Sequence, residues 1–255
     1  MNIWCFRSES PTIKRNMYIK SIELKDFRNY ENLSLNFDPR VNLILGKNAQ
    51  GKTNLLEAVY LTSIGKSFRT NRLSELIRFG QDYGKVFVET CREDEEGSVE
   101  LILSKDSKKS AKIDGVKIKK ASELLEHVYL VIFSPEDLKI VKEEPEKRRK
   151  FIDRELCQIK PLYYDNLTRY HRILMQRNAY LKETQVEPAV LDIWDRQLAA
   201  CGSRMMLQRE SFIKKINQIS SGIHRDITNQ KEALKVCYAP NVKLCETEKE
   251  QEEFL

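Results

Sequence analysis

The clearest chemistry in this sequence lies in Gly46, Lys47, Asn48, Ala49, Gln50, Gly51, Lys52 and Thr53, which together read Gly-x-x-x-x-Gly-Lys-Thr. A polyphosphate needs many hydrogen-bond donors at short range. Backbone N–H groups supply them only where no Cβ intervenes, which is the use of the two glycines. Lys52 can neutralise the terminal phosphates, and the Thr53 hydroxyl can hold Mg²⁺. The spacing is that of a phosphate-binding loop, a P-loop, provided that a strand precedes it and a helix follows.

Both flanks meet that condition. "VNLIL" before the loop is short, apolar and β-branched, as a buried strand is. After it, Leu55, Leu56, Val59 and Tyr60 fall three or four apart and give a helix one apolar face. The helix start adds unpaired N–H groups and partial positive charge to the loop.

The rest of the chain supplies the frame. Ile19, Ile22, Leu24 and Phe27 suggest a strand, with Leu33, Leu35 and Phe37 as its hairpin partner. "IGKSFRTN" is a loop leading to a second short helix, Arg72 to Phe79, stopped by Gly80. "GKVFVET", "SVELILS" and "SAKIDGVKI" then read as an antiparallel sheet, and "VYLVIF" as one more buried strand. Helix restarts at "SPEDLKIVKEEPEKRRKFIDREL", with Ser134 as N-cap and Pro135 at the first position.

Beyond Pro161 the apolar residues fall near heptad spacing: Leu167, Tyr170, Leu174 and Leu181, then Leu191, Trp194, Leu198, Cys201, Met205 and Phe212. Ile216, Ile219 and Ile223 continue after a one-residue slip. This predicts an antiparallel helical hairpin with a coiled-coil-like seam, its second helix roughly 50 Å long. "ALKVCYAP" reads as a returning strand and "ETEKEQEEFL" as a charged helix or tail. The expected division is a disordered extension over 1–16, a head lobe with an antiparallel subdomain over 17–160, a helical arm over 161–230 and an incomplete return to the head over 231–255.

Composition narrows the class. With 255 residues the chain can bury one substantial core and an appended subdomain. Lys and Arg outnumber Asp and Glu by 44 to 38, and the net charge of +6 mildly favours a polyanionic partner. The six cysteines are widely spaced with no C-x-x-C pair, which fits reduced thiols in a cytoplasm better than disulfides or a metal site. No apolar run approaches a membrane span, and the opening sixteen residues do not form a secretory signal. His127, His171 and His224 share no ligand spacing, which argues against histidine catalysis.

Two blocks carry a family resemblance. "IKSIELKDFRNYENLSLNFDPRVNLILGKNAQGKTNLLEAVYLTSIGKSFRT" resembles the start of the RecF family of ATPases, whose ABC-type heads are shared with SMC proteins. Independently, Pro135, Glu136, Asp137, Ile140, Val141, Pro145, Arg148, Arg149, Phe151, Ile152 and Asp153 match that family's second motif. The sequence departs from it at Glu143 and Glu144, where the family has a glycine and a small residue, so the loop there is expected to take another path.

The resemblance implies an α/β fold: a P-loop, ABC-type ATPase head lobe with an antiparallel β subdomain and an α-helical hairpin arm. It implies ATP with Mg²⁺ as ligand, an ATP-dependent homodimer in complete members, and a weak DNA-dependent ATPase. It also implies binding to single-stranded and gapped DNA, work with RecO and RecR, and roles in DNA repair, replication restart and the SOS response. Between Leu234 and Leu255 no apolar run ends in Asp-Asp or Asp-Glu, so the family's signature motif and acidic Walker B strand are expected to be missing. The chain alone is then expected to show little turnover and an open strand edge beside "VNLIL".

Arg28 and Asn29 correspond to a family segment near the nucleotide; a polar hairpin turn is the plainer reading. Lys66, Arg69 and Arg72 are candidate contacts to DNA phosphates, or a solvated basic loop. Arg148 and Arg149 have a DNA or structural role by the family match; otherwise they lie on a solvated face, with Arg149 and Asp153 as an i,i+4 pair. Two other readings stay open: a small-molecule P-loop kinase, which should be a compact parallel α/β chain with a lid, and a nucleotide-binding piece without turnover.

Overall fold

The computed structural model describes residues 2–5, 17–106, 108–142 and 145–255. Most of the expected disordered extension and the Glu143–Glu144 departure lie outside them. The chain divides into two compact units, Met1–Phe133 and Ser134–Leu255.

The strands of the first unit are β1 (Asn2–Cys5), β2 (Tyr18–Phe27), β3 (Tyr30–Asn36), β4 (Asn42–Leu45), β5 (Tyr83–Arg92), β6 (Glu95–Ser104), β7 (Lys109–Ile113) and β8 (Val116–Lys117). Six form one antiparallel sheet in the order β3-β2-β5-β6-β7-β8. Its inner face carries Ile22, Leu24, Val86, Val88, Val99, Leu101 and Leu103, all nearly inaccessible. In β2 the apolar step from Ile19 to Ile22 is three residues rather than two, because the register shifts between Ile19 and Ser21. A bulge takes up the extra residue.

Helix α1 (Lys52–Ile64) packs into this core through Leu55, Ala58, Val59 and Leu61. It is enclosed on all sides from Glu57 onward, whereas Leu56, expected on the apolar face, is exposed.

Further expectations in this unit need correction. Residues 2–5 are not featureless: their backbone pairs antiparallel with β4, Asn2 opposite Leu45 and Cys5 opposite Asn42. An unpaired strand edge is a ready template for a short apolar segment, and β1 fills one edge of the P-loop strand. Arg72 to Phe79 is not a helix but a 3₁₀ turn at Leu73–Leu76. Backbone bonds to the end of β2 outcompete the helix: Arg28 N–H donates to Leu76 O, and Arg78 N–H to Asp26 O, both at 2.8 Å. "VYLVIF" is not a strand either; Val128 is buried and Leu130 packs on the core, but Tyr129, Val131 and Phe133 face outward. A buried strand needs ladder partners, and none of the described strands pairs with it. "SAKIDGVKI" is two strands, β7 and β8, around a turn at Asp114–Gly115.

The second unit is helical. A 3₁₀ turn at Pro135–Leu138 leads into α2 (Lys139–Lys142), α3 (Pro145–Ile159), α4 (Pro161–Tyr180), α5 (Pro188–Ile227) and α6 (Glu248–Phe254). α4 and α5 run antiparallel, joined near the link by Arg177–Asp195 at 2.5 Å and by Tyr180 edge-on to Trp194. Twenty residues of α4 face forty of α5, so α5, about 60 Å long, overhangs its partner. Ile173, Cys201, Met205 and Ile213 are buried, whereas Ile219, Ile223 and Ile227 are exposed. The expected seam therefore ends part-way along α5.

α3 belongs with these helices. Asp153 takes Arg209 at 2.7 Å and the Tyr163 hydroxyl, so it is not the i,i+4 partner of Arg149. The boundary expected after residue 160 thus lies inside the helical unit. "ALKVCYAP" is not a strand but an irregular segment along α5, where Val236 N–H donates to Asn217 Oδ1 at 2.7 Å. α6 starts on a Thr247–Glu250 capping box and ties back to α5 through Glu248–Arg204 at 2.6 Å.

Candidate functional site: the P-loop and its buried carboxylate

The P-loop emerges from β4 and closes into the first turn of α1. Gly51 caps that helix at φ +99°, a left-handed conformation that L side chains avoid. A Cβ there would stand 2.7 Å from the Tyr30 hydroxyl and 2.8 Å from Asn29 Oδ1. The glycine is thus required twice, by conformation and by the β2–β3 turn pressed against it. The Lys52 ammonium folds back onto Gly46 O at 2.5 Å and Lys47 O at 2.8 Å, so the loop curls around a positive centre. Lys47 N–H is held by Gln50 Oε1 at 3.1 Å. Thr53 is exposed at the helix mouth.

Behind the loop lies Glu57, the carboxylate of α1, with no exposed surface. Arg28 grips it with two parallel bonds, Nε to Oε2 at 2.9 Å and Nη2 to Oε1 at 2.6 Å. Ser67 Oγ donates to Oε1 at 2.5 Å and Arg69 Nη1 to Oε2 at 3.2 Å. Arg28 also donates to Glu75 O at 2.7 Å. Arg69 reaches Asn54 Oδ1 at 2.7 Å, and Asn54 Nδ2 donates to Asn29 Oδ1 at 2.8 Å. A buried carboxylate is stable only when paired and fully hydrogen-bonded, and these donors come from both neighbouring loops. The β2–β3 turn and the loop after α1 are thereby pinned to the P-loop helix.

Of the expected site residues, the structure gathers Gly46 to Thr53, Arg28, Asn29 and Arg69. Arg28 is committed to Glu57, so it shapes the site from behind. Lys66 does not join them: it follows the Gly65 cap at the far end of α1, about 20 Å from the loop. Beside it Lys109 donates to Gly65 O, and burial, reinforced by the Lys66 charge, holds its ammonium below the usual lysine range. Arg72 is largely exposed, 3.8 Å from Glu75. Arg148 and Arg149 lie in the helical unit, Arg148 donating to Ile140 O at 3.2 Å and Arg149 exposed on α3. Glu57, Ser67 and Asn54 are additions from the structure. The signal for Glu57 was a lone acid inside the apolar run "NLLEAVYL".

The RecF/RecN/SMC N terminal domain matches residues 18–210. The DNA replication and repair protein RecF of Lachnospira eligens is 44% identical over 239 residues, 92% of this chain and 66% of that protein. The RecF of Clostridioides difficile strain 630 is 45% identical over 228 residues, 89% of this chain and 61% of that protein. The chain belongs to the RecF family. Two solved structures of the recombination mediator protein RecF in the RecFOR pathway, one with ATPrS and one with ATP, superpose with TM-scores of 0.88 and 0.87. They are 37% and 34% identical, cover 94% and 96% of this chain, and are themselves covered over 66% and 68% of their length. The chain spans about two thirds of the length of the curated RecF relatives it matches. Its fold is the α/β fold of an ABC-type ATPase head, with an antiparallel sheet and a helical arm. Among the described residues no helix is long and apolar enough to cross a membrane.

Proposed function

We propose that this chain binds Mg-ATP at Gly46 to Thr53 and binds DNA, as a RecF-type protein of recombinational repair, replication restart and SOS induction in the cytoplasm. The observation that carries the reading is Lys52 folded into the curl of the P-loop, with Gly51 locked by the β2–β3 turn. A triphosphate would take the lysine from the loop carbonyls it now occupies. The Thr53 hydroxyl would supply one oxygen to Mg²⁺, with phosphates and water completing its shell. Among the described residues no cluster of three acids, histidines or cysteines forms a metal cage, which suits an ion carried in on the nucleotide. Mg²⁺ held there would supply positive charge to offset that of the phosphates.

DNA would meet the exposed Lys66 and Arg72, with Arg148 and Arg149 offering further cations on the helical unit. Arg69 is the weaker candidate, since Glu57 and Asn54 engage it. RecO and RecR are proposed as partners, and an ATP-dependent homodimer as the assembly of complete family members. The antiparallel sheet and the forty-residue helix do not suit a small-molecule kinase.

Binding without turnover by this chain alone is favoured by a specific feature. Activating water needs an available base, and the carboxylate of α1 is fully buried under three side-chain donors. Phosphate release from pure protein should therefore stay at background. Binding to gapped DNA should be sequence-independent, should fall linearly in log–log terms with salt, and should not strengthen with ATP. DNA-dependent phosphate release, or ATP-stimulated binding, would contradict this reading.

A further inference from the structure

β4 launches the P-loop, yet it stands outside the six-stranded sheet. Among the described strands its one ladder partner is β1, in four antiparallel pairs: Asn2–Leu45, Ile3–Ile44, Trp4–Leu43 and Cys5–Asn42. We infer that Asn2–Cys5 is a positioning strand for the P-loop, holding the carboxyl end of β4 and thereby the loop that follows. The inference rests on the P-loop reading and adds to it a segment outside the 18–210 family match.

Side chains hold β4 mainly at its start. The Asn42 amide accepts from Asp38 N–H and donates to Asp38 O, both at 2.8 Å. Further along, Ile44 packs on the core, while Leu43 and Leu45 are exposed. At the far end Leu45 faces Asn2, and Gly46 follows directly. The Asn2–Leu45 pair is thus the last ladder position before the loop. A four-residue strand with so little buried surface would open locally at small cost if its ladder were lost.

Nucleotide binding would make this hold matter more. Lys52 donates to Gly46 O and Lys47 O, so its ammonium draws the first residues of the loop together. A triphosphate would take Lys52 from those carbonyls. What then fixes Gly46 is the strand before it, and what fixes that strand is its ladder to β1. The lysine is released to the ligand while the loop keeps its start.

The test uses the full chain carrying Ile3→Pro and Trp4→Pro together. Successive N–H groups of a strand point to opposite edges, so one of the two prolines removes a ladder bond to β4. Amide hydrogen exchange at Leu43–Gly46 should quicken. Mg-ATP binding should weaken about tenfold, the worth of one or two hydrogen bonds. The main melting transition should match wild type, because the six-stranded sheet contains neither β1 nor β4. A second variant restores the hold covalently: Trp4→Cys with Leu43→Cys, in a Cys5→Ser background, puts two thiols on directly opposed residues. Directly opposed Cα atoms stand about 5 Å apart, within disulfide reach. Oxidised, this protein should exchange slowly at those amides and bind Mg-ATP as wild type does. Unchanged exchange in the proline variant, faster exchange with unchanged ATP affinity, or no disulfide between positions 4 and 43 would overturn the inference. If wild type bound no Mg-ATP, the P-loop reading would fail, and exchange with the disulfide would still decide whether β1 holds the loop.

Discussion

Glu57 binds three donors that belong to two loops, so its removal should be felt well beyond its own helix. Replacing one partner of a buried, hydrogen-bonded charge pair strands the other, at a cost of about 3 kcal/mol. Glu57→Ala should lower stability by that amount in a denaturant melt; a change below about 0.5 kcal/mol would show that Arg28 and Arg69 find other partners. Tyr163 gives a second residue-scale test, through pH. Burial raises its hydroxyl pKa above the ordinary tyrosine value of 10.0, more than Arg209 lowers it. The folded chain thus keeps a proton that the unfolded chain releases. Stability from this group is complete below pH 10.0 and declines as pH rises beyond it. The denaturation midpoint should fall less steeply above that pH in Tyr163→Phe than in wild type; equal slopes would contradict the assignment.

At the scale of elements, the α4–α5 hairpin separates residues that heptad spacing treats alike. Met205 is buried and Ile223 is half exposed on the overhang of α5. Met205→Ala should cost about 3 kcal/mol, and Ile223→Ala should stay within about 0.5 kcal/mol. Similar losses at both sites would mean that the overhang is packed after all. The split also shows what periodicity can report. Heptad spacing reveals that a helix has an apolar stripe, but not where the partner helix ends. α1 and the β5–β6–β7 meander were legible because each has its own local pattern; the P-loop strand was legible as a strand, but Val41, Leu43 and Leu45 are exposed rather than buried as expected. "VYLVIF" and "ALKVCYAP" have strand composition, yet strands need neighbours, and neighbours are a property of the fold. In the site, the turn from strand through Gly46–Thr53 into helix was legible from the spacing together with its flanks. The grip of Arg28 and Arg69 on Glu57 was not, because it joins residues far apart in sequence through a single buried acid.

In the whole molecule, the proposed ligand binding and the stability belong to different parts. The antiparallel sheet and α1 form the core that holds the loop, and Glu57 ties the flanking turns to it. The excess of 44 basic over 38 acidic residues provides attraction to polyanions without specifying one. The proposed nucleotide binding is then assigned to the P-loop, and within it to Lys52. The direct test is titration of wild type and Lys52→Ala with a fluorescent ATP analogue in the presence of Mg²⁺. Removing the ammonium takes away charge-assisted bonds to the phosphates, so affinity should drop at least about tenfold with no loss of fold. Equal affinity in the two proteins would contradict the account at its centre.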